Sequence, residues 1–143
     1  MDLTRFRAPR LRGVALAAGA ASVLAGALGA CGATGPAPAQ VVASFRAALA
    51  AGDGTAACRL LAPVAREQLA DDATASCETA VLSLDLPSAP PSSPATRVAG
   101  RQAQVASTDD VVFLTKDGAT WAITGAGCEP RGDRPYRCAV GGG

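Results

Sequence analysis

The sequence predicts an α+β domain behind an export leader: a cap of about three helices, then an antiparallel sheet of about four strands. Three observations predict it. Apolar residues recur at helical spacing between Ala39 and Leu84. Four prolines then crowd into Pro87 to Pro94, which denies that stretch its backbone donors. Beyond it the texture turns to short alternating runs, with a hairpin signal at Asp117-Gly118. Helices first and strands afterwards is the α+β pattern.

The first helix is expected over Ala39 to Ala51, where Val41, Val42, Phe45, Ala48 and Leu49 fall on one side, and Gly52-Asp53-Gly54 stops it. Asp53 or Thr55 can cap the second, which carries Cys58, Leu60 and Leu61 and reaches Ala62. Pro63 permits a fresh turn containing Val64 and Leu69. The third helix is expected from Asp72 to Leu84, with Cys77, Val81 and Leu84 on one side. Asp71-Asp72 reads as its start, because carboxylates favour the positive end of a helix. After the proline-rich connector, Thr96 to Ala99 reads as a weak strand and Gly100-Arg101 as a turn. Ala103, Val105 and Ser107 alternate with Gln102, Gln104 and Ala106. Val111 to Lys116 is the strongest strand, and the return strand runs from Ala119 to about Gly125 with Trp121 and Ile123 on one face. Phe113 and Trp121 are expected in the core, since so few other large side chains are present.

Ahead of this domain, residues 1–30 have the layout of a cleaved signal. Arg5, Arg7, Arg10 and Arg12 precede an uncharged run from Gly13 to Leu28 that is shorter than the roughly 20 apolar residues of a membrane span. There is no Arg-Arg pair, which favours the general secretory route. The run ends in Leu28-Gly29-Ala30-Cys31, which resembles the lipobox of bacterial lipoproteins. The resemblance implies cleavage before Cys31, a diacylglyceryl group on its thiol, and anchoring to the outer face of the cell membrane; two acyl chains hold far better than one. Residues 31–39 would be a flexible tether and residues 40–143 one disulfide-stabilised domain.

With Cys31 assigned to lipid, Cys58, Cys77, Cys128 and Cys138 remain, an even number in an exported chain, which reads as disulfides. Three pairings are open. Loop geometry favours the local one, Cys58 with Cys77 across two helices and Cys128 with Cys138 around the polar loop 129–137. No metal site or cofactor is expected: the chain has no His, and neither Cys pair has Cys-x-x-Cys spacing.

Composition excludes more than it selects. The segment after Ala30 carries 9 basic and 11 acidic side chains, a net of −2 with no basic stripe, so nucleic acid is not an expected partner. The missing histidine removes the usual triads and the commonest general base. Lys116, the single lysine, sits beside the Asp117-Gly118 turn and reads as solvated. Arg131-Gly132-Asp133 spells an adhesion tripeptide, but chance suffices in a loop so rich in these residues. Tyr136 reads either as a surface anchor or as packing on its own disulfide.

The stretch Gln40-Val41-Val42-Ala43-Ser44-Phe45-Arg46-Ala47-Ala48-Leu49-Ala50-Ala51-Gly52-Asp53 resembles the opening helix of NTF2-like (cystatin-like) domains. Ala57-Cys58-Arg59-Leu60-Leu61, Val111-Val112-Phe113-Leu114 and Trp121-Ala122-Ile123 extend the likeness, in particular to small lipoproteins of high-GC Gram-positive bacteria, where Cys58 and Cys128 fall at frequent cysteine positions. The resemblance implies a curved sheet closing a cone under the helices, sometimes around a ligand. None of the Asp, His or Tyr acid-base positions of the superfamily's enzymes matches here. The expected function is therefore a non-catalytic, membrane-anchored module that binds an envelope protein or a small apolar ligand. An envelope enzyme using Asp85, Asp109 or Asp110, and a purely structural envelope protein, are the alternatives.

Overall fold

The computed structural model describes residues 35–141. The leader, Leu28-Gly29-Ala30 and the lipid-bearing Cys31 expected above lie outside the described residues. Four helices come first: α1 (Pro38–Ala50), α2 (Gly54–Leu60), α3 (Pro63–Ala73) and α4 (Cys77–Ser83). Five strands follow: β1 (Ala95–Ala99), β2 (Gln102–Ala106), β3 (Val111–Asp117), β4 (Thr120–Arg131) and β5 (Arg134–Arg137). Each strand pairs antiparallel with the next in one open sheet of order β1-β2-β3-β4-β5. The α+β expectation holds.

The helix boundaries follow local chemistry. Pro38 opens α1, where its missing N–H costs no helical bond. Asp53 caps α2 by accepting from the Ala56 N–H at 2.8 Å. The third helix, however, does not run from Asp72 to Leu84. Pro63 starts an 11-residue helix in place of a single turn, and that helix ends at Ala73 with Thr74 in the left-handed conformation (φ 50°). Ser76 then caps α4, accepting from the Thr79 N–H at 3.3 Å. Asp71 and Asp72 thus lie in the last turn of α3, at the end of the helix dipole that disfavours them.

One face of the sheet carries the core. Ala103 and Val105 of β2, Val112 and Leu114 of β3, and Ile123 of β4 pack with Val41, Val42, Phe45 and Ala48 of α1 in one buried cluster. Leu61, Ala65, Leu69 and Val81 complete it from the other helices and the α2–α3 link. The Ala62 N–H donates to the Ile123 carbonyl at 2.7 Å, which pins the α2–α3 corner to the sheet. Both disulfides are the local pair, Cys58–Cys77 joining α2 to α4 and Cys128–Cys138 joining β4 to the chain after β5.

The second half of the sheet departs from the expectation. β4 continues six residues past Gly125, and residues 129–137 are a hairpin and not a polar loop, with Glu129 opposite Arg137 and Arg131 opposite Arg134. All four β5 residues are exposed, so no apolar alternation marks the strand. Two register shifts curve the β3–β4 pair, between Val111 and Phe113 and between Phe113 and Leu114. Gly127 lies in the first of them with φ 62°. A side chain at that φ is strained, so Gly127→Ala is expected to cost at least about 1–2 kcal/mol, read as a lower urea midpoint at unchanged slope.

Candidate functional site

The helix-facing side of the sheet holds one buried charge cluster, built from four separate segments. Arg46 on α1 is only 2% exposed and the Asp110 side chain 6%. The Arg46 Nη2 donates to Asp110 Oδ1 and, at 2.9 Å, to Ser107 Oγ. Its Nη1 donates to the Ala89 carbonyl of the proline-rich connector at 3.2 Å and lies 3.6 Å from Asp109 Oδ2. The second Asp110 oxygen accepts from the Gly127 N–H at 3.1 Å, which uses the donor that the β4 bulge turns inward. Ser107 N–H donates to the Asp110 carbonyl at 2.9 Å and closes the β2–β3 turn. Among the described residues no buried side-chain nitrogen or oxygen lacks a partner.

This arrangement fixes what the acidic candidates can do. Asp110 is desolvated, as a catalytic carboxylate would be, but both its oxygens are engaged, one by a guanidinium and one by a backbone N–H. Asp109 points at the same arginine from a largely exposed position. Asp85 is exposed just beyond α4, so the three carboxylates are not brought to one place. Among the described residues no group of three or more His, Cys, Asp or Glu could hold a metal ion.

The opposite face of the sheet is open. Phe113 is not in the core: the register puts it opposite Gln104, on the face away from the helices, where it is half-buried. Tyr136 packs edge-on against it, with ring centroids 5.1 Å apart, and lies 3.4 Å from Gln104 Nε2, within weak hydrogen-bond reach. Tyr136 therefore packs on the sheet, against Phe113. Beside this pair runs a shallow cleft of about 300 Å³, lined by Arg97, Val98, Ala99, Gln102, Gln104 and Phe113 among others. The lining is mostly apolar, and the outer edge of β1 carries no further strand among the described residues, with Val98 56% exposed.

A second cleft, of about 290 Å³, opens at the end of the sheet where the chain enters the domain. Trp121 lies there, half-buried against the core rather than within it, with Lys116 Nζ 5.5 Å from its ring centroid. Lys116 is thus stacked on an aromatic face and only partly solvated. The buried arginine, the aromatic outer face and this stacked lysine were all missed by sequence reasoning. For Arg46 a signal existed: it stands four residues after Val42 and three before Leu49, inside the apolar stripe.

Among the described residues no helix is long and apolar enough to cross a membrane. No family model, no curated protein and no solved structure matches the chain.

Proposed function

We propose that the chain is an exported lipoprotein, anchored through Cys31 to the outer face of the cell membrane, whose domain is a non-catalytic binding module of the envelope. The two disulfides support export, because such bonds persist in oxidising compartments. The leader and Leu28-Gly29-Ala30-Cys31 support the anchor. The bulged sheet with helices on one face suits an NTF2-like cone, one whose interior is occupied by Phe45, Leu61, Leu114 and the Arg46–Asp110 pair. Binding then belongs on the outside. The observation that carries this reading is the open apolar cleft beside the unpaired β1 edge, which offers both pockets and backbone groups to an extended segment of a protein partner.

Two experiments test it. Cys31→Ser is expected to abolish membrane retention, either releasing the protein or leaving the precursor uncut. Processed, detergent-extractable protein in the membrane fraction would count against the anchor. A photoreactive residue at Ala99, exposed and opposite Gln102 on the cleft's side of β1, is expected to give one discrete protein adduct in the native host, and one at Val64 none, although Val64 is 65% exposed on α3. Equal labelling from both positions would remove the binding cleft.

A further inference from the structure

Gly35 lies flat on the β3–β4 turn, for a Cβ on it would stand 2.5 Å from the Ala119 carbonyl oxygen. From there Cys31 is four residues away, a covalent reach of at most about 14 Å. A lipid on Cys31 would therefore bring the bilayer surface to this end of the domain whatever path the tether takes.

The side chains gathered at that end are cationic and aromatic. Arg59 and Arg66 line the cleft that also holds Pro36, Leu60, Asp117 and Trp121. Lys116 stacks over Trp121, and Arg101 Nη2 donates to the Lys116 carbonyl at 2.5 Å. Four of the nine basic groups after Ala30 thus meet here, against Asp117 and the exposed Glu67 that follows Arg66 on α3, although the segment as a whole is acidic. Most of the opposing charge is placed elsewhere. Asp71 and Asp72 lie in the last turn of α3, about 12–14 Å along the axis from Pro63, and Glu78 and Asp85 belong to α4 and the chain after it.

We propose that this end is a membrane-contact surface, in which Arg59, Arg66, Arg101 and Lys116 bind the phosphates of anionic phospholipid headgroups and Trp121 sits at the interface. The inference rests on the anchoring of Cys31 proposed above. Cations near an anionic leaflet each strengthen its hold, and Trp favours the headgroup level. The consequence is a fixed pose: the anchor end is held down, and the β4–β5 hairpin, at the far end of the 12-residue β4, is presented away from the tether in one orientation.

Trp121 is the single tryptophan of the chain, which makes it a native probe. The full lipidated protein, purified from membranes, would be reconstituted into vesicles of phosphatidylglycerol or of phosphatidylcholine containing brominated acyl chains. Quenching of Trp121 is expected in phosphatidylglycerol, at least about twofold weaker in phosphatidylcholine, and reduced by high salt. Arg59→Glu with Arg66→Glu should halve it or more, while Arg134→Glu with Arg137→Glu, the same change of charge on the distant hairpin, should leave it unchanged. Intact mass separates the two ways of failing. Protein without the diacylglyceryl mass overturns the anchor and this surface together. Acylated protein whose quenching is the same in both lipids overturns the surface alone.

Discussion

Asp110→Ala is expected to lower the unfolding free energy by about 3–5 kcal/mol, the largest effect of any single substitution proposed for this domain. The reason is what remains behind. Arg46 would keep its charge in a site where it is 2% exposed, with Ser107 and the Ala89 carbonyl as its remaining hydrogen-bond partners. The Gly127 N–H would lose its acceptor as well. Asp109 offers little compensation, since it is about half exposed and 3.6 Å away. Removing both charges is a different experiment. Arg46→Met with Asp110→Leu fills similar volume without desolvating an ion, and such replacements are often neutral or better. The double variant is therefore expected to be more stable than Asp110→Ala, short of the parent by the cost of the orphaned Gly127 N–H, about 1–3 kcal/mol. Urea unfolding of the parent, the single and the double variants decides it. A loss under about 1 kcal/mol for Asp110→Ala would mean that the arginine escapes to water and that the cluster does not tie the segments together. By contrast, breaking Arg137–Glu129, whose side chains are 73% and 68% exposed, should be barely measurable.

That cluster also marks where sequence reading stops. Short-range chemistry was legible: α1 begins within one residue of its expected start, Asp53 caps α2, Gly100-Arg101 is a turn, the Asp117-Gly118 hairpin signal falls one residue ahead of the Gly118-Ala119 turn, and the cysteines pair locally. The α3–α4 junction was not, because Thr74 takes a left-handed conformation that Gly or Asn would have announced and Thr does not. β5 was invisible for another reason: a strand exposed on both faces has no apolar period to read. Arg46 and Asp110 are 64 residues apart, and no local pattern links them. The candidate site suffered most. Phe113 and Trp121 read as core by scarcity of large residues, whereas packing fills the interior with Phe45 and smaller Val, Leu and Ala and leaves these two rings at its open margins.

Reduction of the disulfides is the second large effect, and the two bonds should fail differently. The Cys58–Cys77 bond closes a span of 19 residues and the Cys128–Cys138 bond one of 10. Chain entropy then assigns them about 3.2 and about 2.7 kcal/mol respectively. Together these are comparable with the whole stability of many domains, about 5–15 kcal/mol, so the reduced protein is expected to unfold largely at physiological temperature. The difference lies in what each bond holds. Cys58 is buried in the core cluster, and its bond draws α4 against α2 across the whole of α3. Cys58→Ala with Cys77→Ala should therefore lower the global midpoint. The hairpin closed by Cys128–Cys138 is exposed at its tip, and its strands already pair at Glu129–Arg137 and Arg131–Arg134. Cys128→Ala with Cys138→Ala should cost less globally and should first free β5, seen as faster amide exchange at Tyr136 and Arg137. With β5 released, Tyr136 would leave Phe113, and Phe113, which lines the apolar cleft, would lose the ring that holds it in place. Crosslinking from Ala99 should then weaken while the fold persists, which ties the second disulfide to the binding face and the first to the core. If the two double variants lost equal stability and equal crosslinking, that division of roles would fall.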